Sequence, residues 1–307
     1  MKRGLVIALS ALLLSACGSG GGAGGGEQAA AGVTVDTRFG VVTIEEPPTR
    51  VVALGWSDAE TALALGVRPV GASDWLGFGG KGVGPWAEDL YTEAPKLLGT
   101  TEIDYEAVAA LQPDLILNTR SDNDEKKHET LSRIAPTIGA PKDVIPYGTT
   151  WRQQVELVAK ALGKPAEGEK IIADLDAKFA ANRKFDGKTA VVGAHFDGKF
   201  GAYVSGDARA DFLKALGFTP RQDVEALAAG TFYVDISAER LDLLDADLTV
   251  LFPIGGDASA IRSNPLVPEK ALVLDDENLV NAFSSGSSLG TAYALDHAVP
   301  LFTAALG

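Results

Sequence analysis

The middle of the chain carries two apolar patterns with helical spacing, back to back. Apolar residues stand at 151, 155, 158, 159 and 162, and then at 171, 172, 175 and 179, with Gly163-Lys164-Pro165 between the two sets. Such spacing predicts helices over 151–162 and 166–185. On both sides, short apolar runs alternate with helix-length segments. Before the helical block come a weakly alternating edge over 33–44, a strand over 50–54, a helix over 59–65 and a strand over 67–72. Asp58 is placed to cap that helix and Gly66 to end it. A helix over 104–111 and a strand over 114–118 follow. After the block come strands over 189–195, 200–204 and 248–252, with helices over 208–216, 237–244 and 291–306. Alternation of this kind forms α/β layers around a mostly parallel sheet. The expected fold class is α/β, with an N-lobe over 33–148, a helical connector over 149–186 and a C-lobe over 187–307.

The first residues belong to a different class. Lys2 and Arg3 precede an apolar run from Leu5 to Leu14. A spanning helix needs roughly 20 apolar residues, so the run fits a secretory signal over 1–16 instead. Leu14-Ser15-Ala16-Cys17 resembles the lipobox of bacterial lipoproteins, which implies a diacylglycerol on Cys17. The alternative is an ordinary signal, which would leave a free thiol. Residues 17–32 are rich in glycine and read as a flexible tether. A lipid anchor, a tether and an α/β body describe a protein held at a membrane surface.

Charge and residue counts exclude several functions. Asp and Glu number 41 against 27 Lys and Arg, a net charge of −14. That balance argues against nucleic acid as a partner. A single Cys allows neither an intrachain disulfide nor a cysteine zinc site. His128 lies in a charged stretch that reads as a solvated helix face, His195 ends a strand, and His297 reads as structural. No direct metal site is expected from them. Gly55-Trp56-Ser57-Asp58-Ala59 has the context of a nucleophile elbow, but Ala59 replaces the last glycine and no oxyanion loop is evident. Gly77-Phe78-Gly79-Gly80-Lys81-Gly82 matches G-x-G-x-x-G, yet Val83, Gly84 and Pro85 separate it from any helix. It reads as a mobile loop rather than a dinucleotide site.

Aromatic residues remain, at strand ends and in loops. Trp56, Trp75, Trp86, Arg120, Tyr147, Phe196, Phe200, Tyr203, Phe232, Tyr233 and Phe283 all fall there. Ligands of open α/β sheets bind outside the carboxyl ends of the strands. Any one aromatic reads as core. Three of four Trp beside strand ends or glycine loops point to a bulky, flat ligand.

The stretch from Arg50-Val51-Val52-Ala53-Leu54 to Gly66-Val67-Arg68-Pro69-Val70-Gly71 resembles the N-lobe opening of binding proteins from iron–siderophore, haem and cobalamin ABC importers. Asp104-Tyr105-Glu106-Ala107-Val108, followed by Leu111-Gln112-Pro113-Asp114-Leu115, resembles their next signature. Ile236-Ser237-Ala238-Glu239-Arg240-Leu241, with Asp245-Ala246-Asp247-Leu248, resembles the matching C-lobe element. The likeness runs from about residue 33 to the end. It implies two α/β lobes joined by a long rigid helix, with the ligand between them and little closure.

The resemblance also implies a monomeric binding protein, not an enzyme. Its partners would be a ferric siderophore, the two permease subunits and the membrane that takes the lipid anchor. It would need no cofactor, since iron arrives inside the chelate. Expected ligand contacts are Trp56, Trp75, Trp86, Arg120, Phe196, Tyr203 and Tyr233, with Arg152, Arg209 and Arg262 as weaker candidates. So few cleft arginines favour a weakly charged chelate such as a ferric hydroxamate. Glu60 and Glu239 are expected to meet permease arginines at the lobe tips. Haem, cobalamin and a secreted α/β hydrolase are the alternatives.

Overall fold

The computed structural model describes residues 32–100 and 102–307. The signal, Cys17 and nearly all of the tether lie outside the described residues. Val33–Thr37 and Gly40–Ile44 form an antiparallel hairpin.

The N-lobe sheet has five parallel strands. Their order is Lys96–Leu97, Gly71–Ala72, Val51–Ala53, Leu115–Leu117 and Thr137–Ile138. Val51–Ala53 and Leu115–Leu117 are fully buried, as strands covered on both faces must be. Chain order reverses between these two neighbours. That switch point opens a crevice at their carboxyl ends, where Trp56 and Arg120 follow.

The C-lobe sheet is mixed. Its order is Tyr233–Ile236, Lys199–Tyr203, Thr189–Phe196, Leu248–Pro253 and Leu272–Val273, and Thr219–Pro220 also pairs with Thr189–Phe196. The first two pairings along this path are antiparallel and the next two parallel.

Helices Trp151–Ala161 and Pro165–Asn182 link the two sheets. Thr150 and Gln153 form a capping box on the first, and Pro165 opens the second at a position where its missing N–H costs nothing. The second helix has 18 residues, about 27 Å at the standard rise. Ile171 packs into the N-lobe core, whereas Leu175 and Phe179 belong to the C-lobe core. One helix is thus rooted in both cores.

Several local expectations need correction. Asp58 does not cap its helix Asp58–Ala64. The N-cap is Ser57, in left-handed conformation with φ of 63°, and it makes no side-chain cap. Asp58 is buried and turns inward, where it accepts hydrogen bonds from the Thr119 amide at 2.9 Å and Gln154 Nε2 at 2.7 Å. His128, on helix Glu125–Ser132, is not on a solvated face. It is buried, stacked on Phe39 with centroids 4.0 Å apart, because the N-terminal hairpin folds over that helix. The 237–244 helix is two 3-10 turns kinked at Arg240.

The connector helices approach closely at Gly168. A Cβ there would lie 2.5 Å from the Ala159 methyl. Gly168→Leu should therefore force the pair apart and cost about 1–3 kcal/mol of stability, read as a lower urea midpoint.

Candidate functional site

The crevice at the N-lobe switch point is built from aromatic rings and one arginine. Trp56 stacks on Trp75 at 4.2 Å and on Tyr147 at 4.1 Å. Three rings in a row give a stiff, half-buried wall, suited to a flat ligand edge. Tyr147 holds its ring there from a left-handed backbone, φ 60°, which only the surrounding loop sustains. The Arg120 guanidinium lies 5.8 Å from both indole rings. Only 3% of Arg120 is exposed. Its Nε donates to the Tyr147 carbonyl at 2.9 Å and its Nη1 to the Ser285 carbonyl at 2.8 Å. Its Nη2 has no hydrogen-bond partner among the described residues. Burial pulls its pKa down to about 10, and the nearby Arg209 charge acts in the same direction against Asp207 and Asp58. It remains a cation at neutral pH.

The C-lobe brings a second buried arginine. Arg209 Nε and Nη2 grip Asp207 at 2.8 and 2.7 Å, and the guanidinium lies 3.5 Å over the Tyr203 ring. Burial lowers the Arg209 pKa, but the Asp207 charge and hydrogen bonds outweigh it and the net direction is upward. Tyr233 meets Tyr203 edge-on at 4.9 Å and sits directly on Gly201, where any side chain would collide with its phenol. The Asp207-Ala208-Arg209 segment reaches Arg120 across Gly286. A Cβ on Gly286 would come within 3.0 Å of Ala208 and 2.3 Å of Arg120 Nη1. Arg120 also borders a cavity of about 300 Å³, lined by Trp151, Phe179, Phe212 and Phe283 among others.

The structure brings together Trp56, Trp75 and Arg120 from one lobe, and in the other sets Tyr203 under Arg209 with Tyr233 edge-on to Tyr203. It does not bring Trp86 or Phe196 to them. Trp86 donates to Glu60 at 2.9 Å and packs near Tyr293, at the joint of the lobes. Phe196 is 56% exposed at a hairpin tip. Arg152 is paired with Asp176, and both line the cavity that Arg120 borders, whereas Arg262 is paired with Asp275 near the surface. Arg209 was only a weak candidate because it follows a strand by several residues. Its partner Asp207, two positions earlier, is the local signal for a buried ion pair.

Glu60 requires the largest correction. It is 3% exposed and accepts from Trp86 Nε1, Ser287 Oγ and, at 3.4 Å, the Gly84 amide. A carboxylate enclosed in this way is not available to another protein. The cause is its helix, whose residues Asp58 to Leu63 are all buried.

The periplasmic binding protein family matches residues 51–262. The chain belongs to that family. It is 31% identical over 267 residues to the probable siderophore-binding lipoprotein YfiY of Bacillus subtilis, spanning 82% of this chain and 78% of the relative. Among solved structures it resembles PiaA of Streptococcus pneumoniae in complex with ferrichrome. There the TM-score is 0.76 and the identity 27%, over 89% of this chain and 98% of PiaA. A periplasmic solute-binding protein of Mycobacterium smegmatis matches with TM-score 0.76 and 29% identity, over 90% and 99% of the two chains.

Members of the periplasmic binding protein family bind rather than transform, and the elbow-like Ser57 fits that class. Its hydroxyl is buried and donates to the Ser285 carbonyl at 2.6 Å. None of the three His makes a hydrogen bond to it. His297 bonds the Tyr293 carbonyl, His128 lies beside Ser132, and His195 packs against Phe200.

Burial raises the pKa of Glu60 above its ordinary 4.5, and the hydrogen bonds from Ser287, Trp86 and Gly84 only partly oppose it. The Tyr91 phenol is pushed upward in turn, first by burial and then by the Glu60 charge. Folding therefore favours the neutral acid. That stabilisation is complete below the ordinary value and is lost as pH rises through the raised folded value. Wild-type stability should fall relative to Glu60→Gln across this window, with a limiting slope of about 1.4 kcal/mol per pH unit. Urea unfolding of both proteins over a pH series checks it, and parallel curves would refute it.

Proposed function

We propose that this protein is the lipid-anchored binding component of an ABC importer, and that it captures a ferric siderophore between its lobes. The carrying observation is the meeting of two buried arginines from opposite lobes, beside a stacked aromatic wall. Each arginine keeps a nitrogen with no hydrogen-bond partner among the described residues. A ligand can supply the acceptor for each of these charged donors. The chelator provides every iron ligand, and the protein provides shape, ring contact and charge. It catalyses nothing and needs no cofactor of its own.

The charge of the site selects among chelates. Asp207 neutralises one of the two guanidiniums, and burial pushes the pKa of Asp58 up, toward the neutral acid, against bonds from Thr119 and Gln154. The remaining positive charge is small. It suits a neutral or singly charged ferric hydroxamate better than a triply negative catecholate. The resemblance to a structure holding ferrichrome supports this class. Ferrichrome should quench Trp fluorescence on binding. Arg120→Ala should weaken binding by roughly tenfold to a hundredfold, the value of one charge-assisted hydrogen bond. Quenching by haem or cobalamin but not by ferric hydroxamates would overturn the class.

Delivery would use one exposed carboxylate on each lobe. Glu106 and Glu239 both stand eight residues before an aspartate that opens a strand, Asp114 and Asp247. The two aspartates make the same contacts. Asp114 receives the amide and hydroxyl of Thr49, and Asp247 those of Thr189. The lobes thus repeat one element, and both glutamates are exposed on it. Glu239 keeps its expected role in this reading, and Glu106 takes the one first given to Glu60. Rim charges steer association more than they add affinity. A Glu106→Ala, Glu239→Ala variant should bind ligand normally in solution and fail to support uptake in cells. Normal uptake would dismiss the pair. The anchor on Cys17 would hold the protein on the extracytoplasmic face of the membrane, as a monomer.

A further inference from the structure

The turn between helices Glu277–Ser285 and Ser288–Leu306 belongs to the C-lobe by sequence, yet its polar groups are spent on the N-lobe. The Ser285 carbonyl accepts from Ser57 Oγ at 2.6 Å and from Arg120 Nη1 at 2.8 Å. Ser57 Oγ in turn accepts from Trp75 Nε1 at 3.3 Å. One carbonyl therefore aims both the cleft arginine and one indole of the aromatic wall. Gly286 supplies the left-handed corner, φ 62°, and the empty side that lets Arg120 approach. Two residues past Ser285, Ser287 Oγ donates to Glu60 and accepts from the Gly290 amide, capping the last helix. Leu289 then packs into the N-lobe cluster around Ala59 and Leu63.

Glu60 is the anchor point of this turn. Its carboxylate is bonded by neutral donors alone, Ser287, Trp86 and Gly84, with no cation in contact. Stability does not explain such a group, because a buried carboxyl, neutral or charged, costs more than an apolar side chain of the same size. Placement does explain it. A carboxylate can take three donors from two lobes at once, and an apolar residue cannot.

We propose that Glu60 is a positioning residue for the ligand site. It fixes Ser287, which holds the Ser285 carbonyl where it orients Arg120 and, through Ser57, Trp75. The turn is a second tether between the lobes, besides the connector helix, and it reaches the groups that touch ligand.

The test compares Glu60→Ala, Glu60→Gln and Ser287→Ala with Gly168→Leu, a packing variant between the connector helices. The ligand-free readout is the nuclear magnetic resonance signal of the indole N–H groups, one for each of the four Trp. Trp75 does not touch Glu60. Its signal should nevertheless shift and exchange faster with solvent in Glu60→Ala and Ser287→Ala, while that of Trp151 stays in place. Glu60→Gln keeps an acceptor oxygen and should restore most of the wild-type signal. Gly168→Leu should lose stability and leave Trp75 unmoved. The second readout is ferrichrome affinity, which rests on the siderophore reading and should weaken about tenfold in the first two variants. Wild-type protein that ignores ferrichrome would sink that reading, and the indole signals would still decide this one. An unchanged Trp75 signal in Ser287→Ala, the variant that removes only a hydroxyl, would overturn the proposal.

Discussion

The Arg120 side chain is pinned by carbonyls from two different parts of the molecule. Tyr147, just before the connector, takes Nε, and Ser285, at the far end of the C-lobe, takes Nη1. A guanidinium presents its donors in a rigid planar fork, so two fixed acceptors leave it a single orientation. The aromatic wall, the Gly286 corner and the approach of Asp207 to the cleft all follow from where that fork lies. Because one acceptor belongs to each lobe, the geometry of the site depends on how the lobes are joined. The 18-residue helix rooted in both cores supplies the stiffness.

Besides Arg120, the ionisable groups Arg209, Asp207, Asp58 and Glu60 lie buried around this joint, and they are held in different ways. Arg209 has a bidentate partner in Asp207, the arrangement that best repays the removal of two charges from water. Asp58 gathers Thr119 and Gln154, and burial raises its pKa. Glu60 has only neutral donors. A cluster like this is a poor route to stability, since well-packed apolar residues would do better. It is a good route to a single arrangement, because each unpaired alternative leaves a buried polar atom without a partner.

The two lobes carry the same strand-opening contact, an aspartate bonded to the amide and hydroxyl of a threonine just before or at the start of the neighbouring strand. That repeat relates Glu106 to Glu239. Glu60 and Glu239 share only a place on a helix near the start of a signature. The motif order was correct and the pairing of carboxylates was not, because a helix packed on all sides reads much like one at a tip when its length is seven residues.

The family fold was legible in the residue pattern. Buried strands bounded by helix-length segments dictate an α/β sheet, and apolar residues at helical spacing over 151–179 dictate a connector, because each periodicity matches only one backbone geometry. That Trp56 and Arg120 lie side by side was also legible, since both follow strands that meet at the switch point. The partners of Arg120 were not. Ser285 is 165 residues away in sequence, and a backbone carbonyl has no side-chain signature at all. Nor could spacing separate Trp86, which bonds Glu60 at the joint, from Trp75, which stacks on Trp56, because both follow N-lobe strands in glycine-rich loops. Local sequence determines periodicity and turns through short-range sterics. Which buried polar group meets which depends on how distant segments pack, and only the assembled tertiary structure decides that.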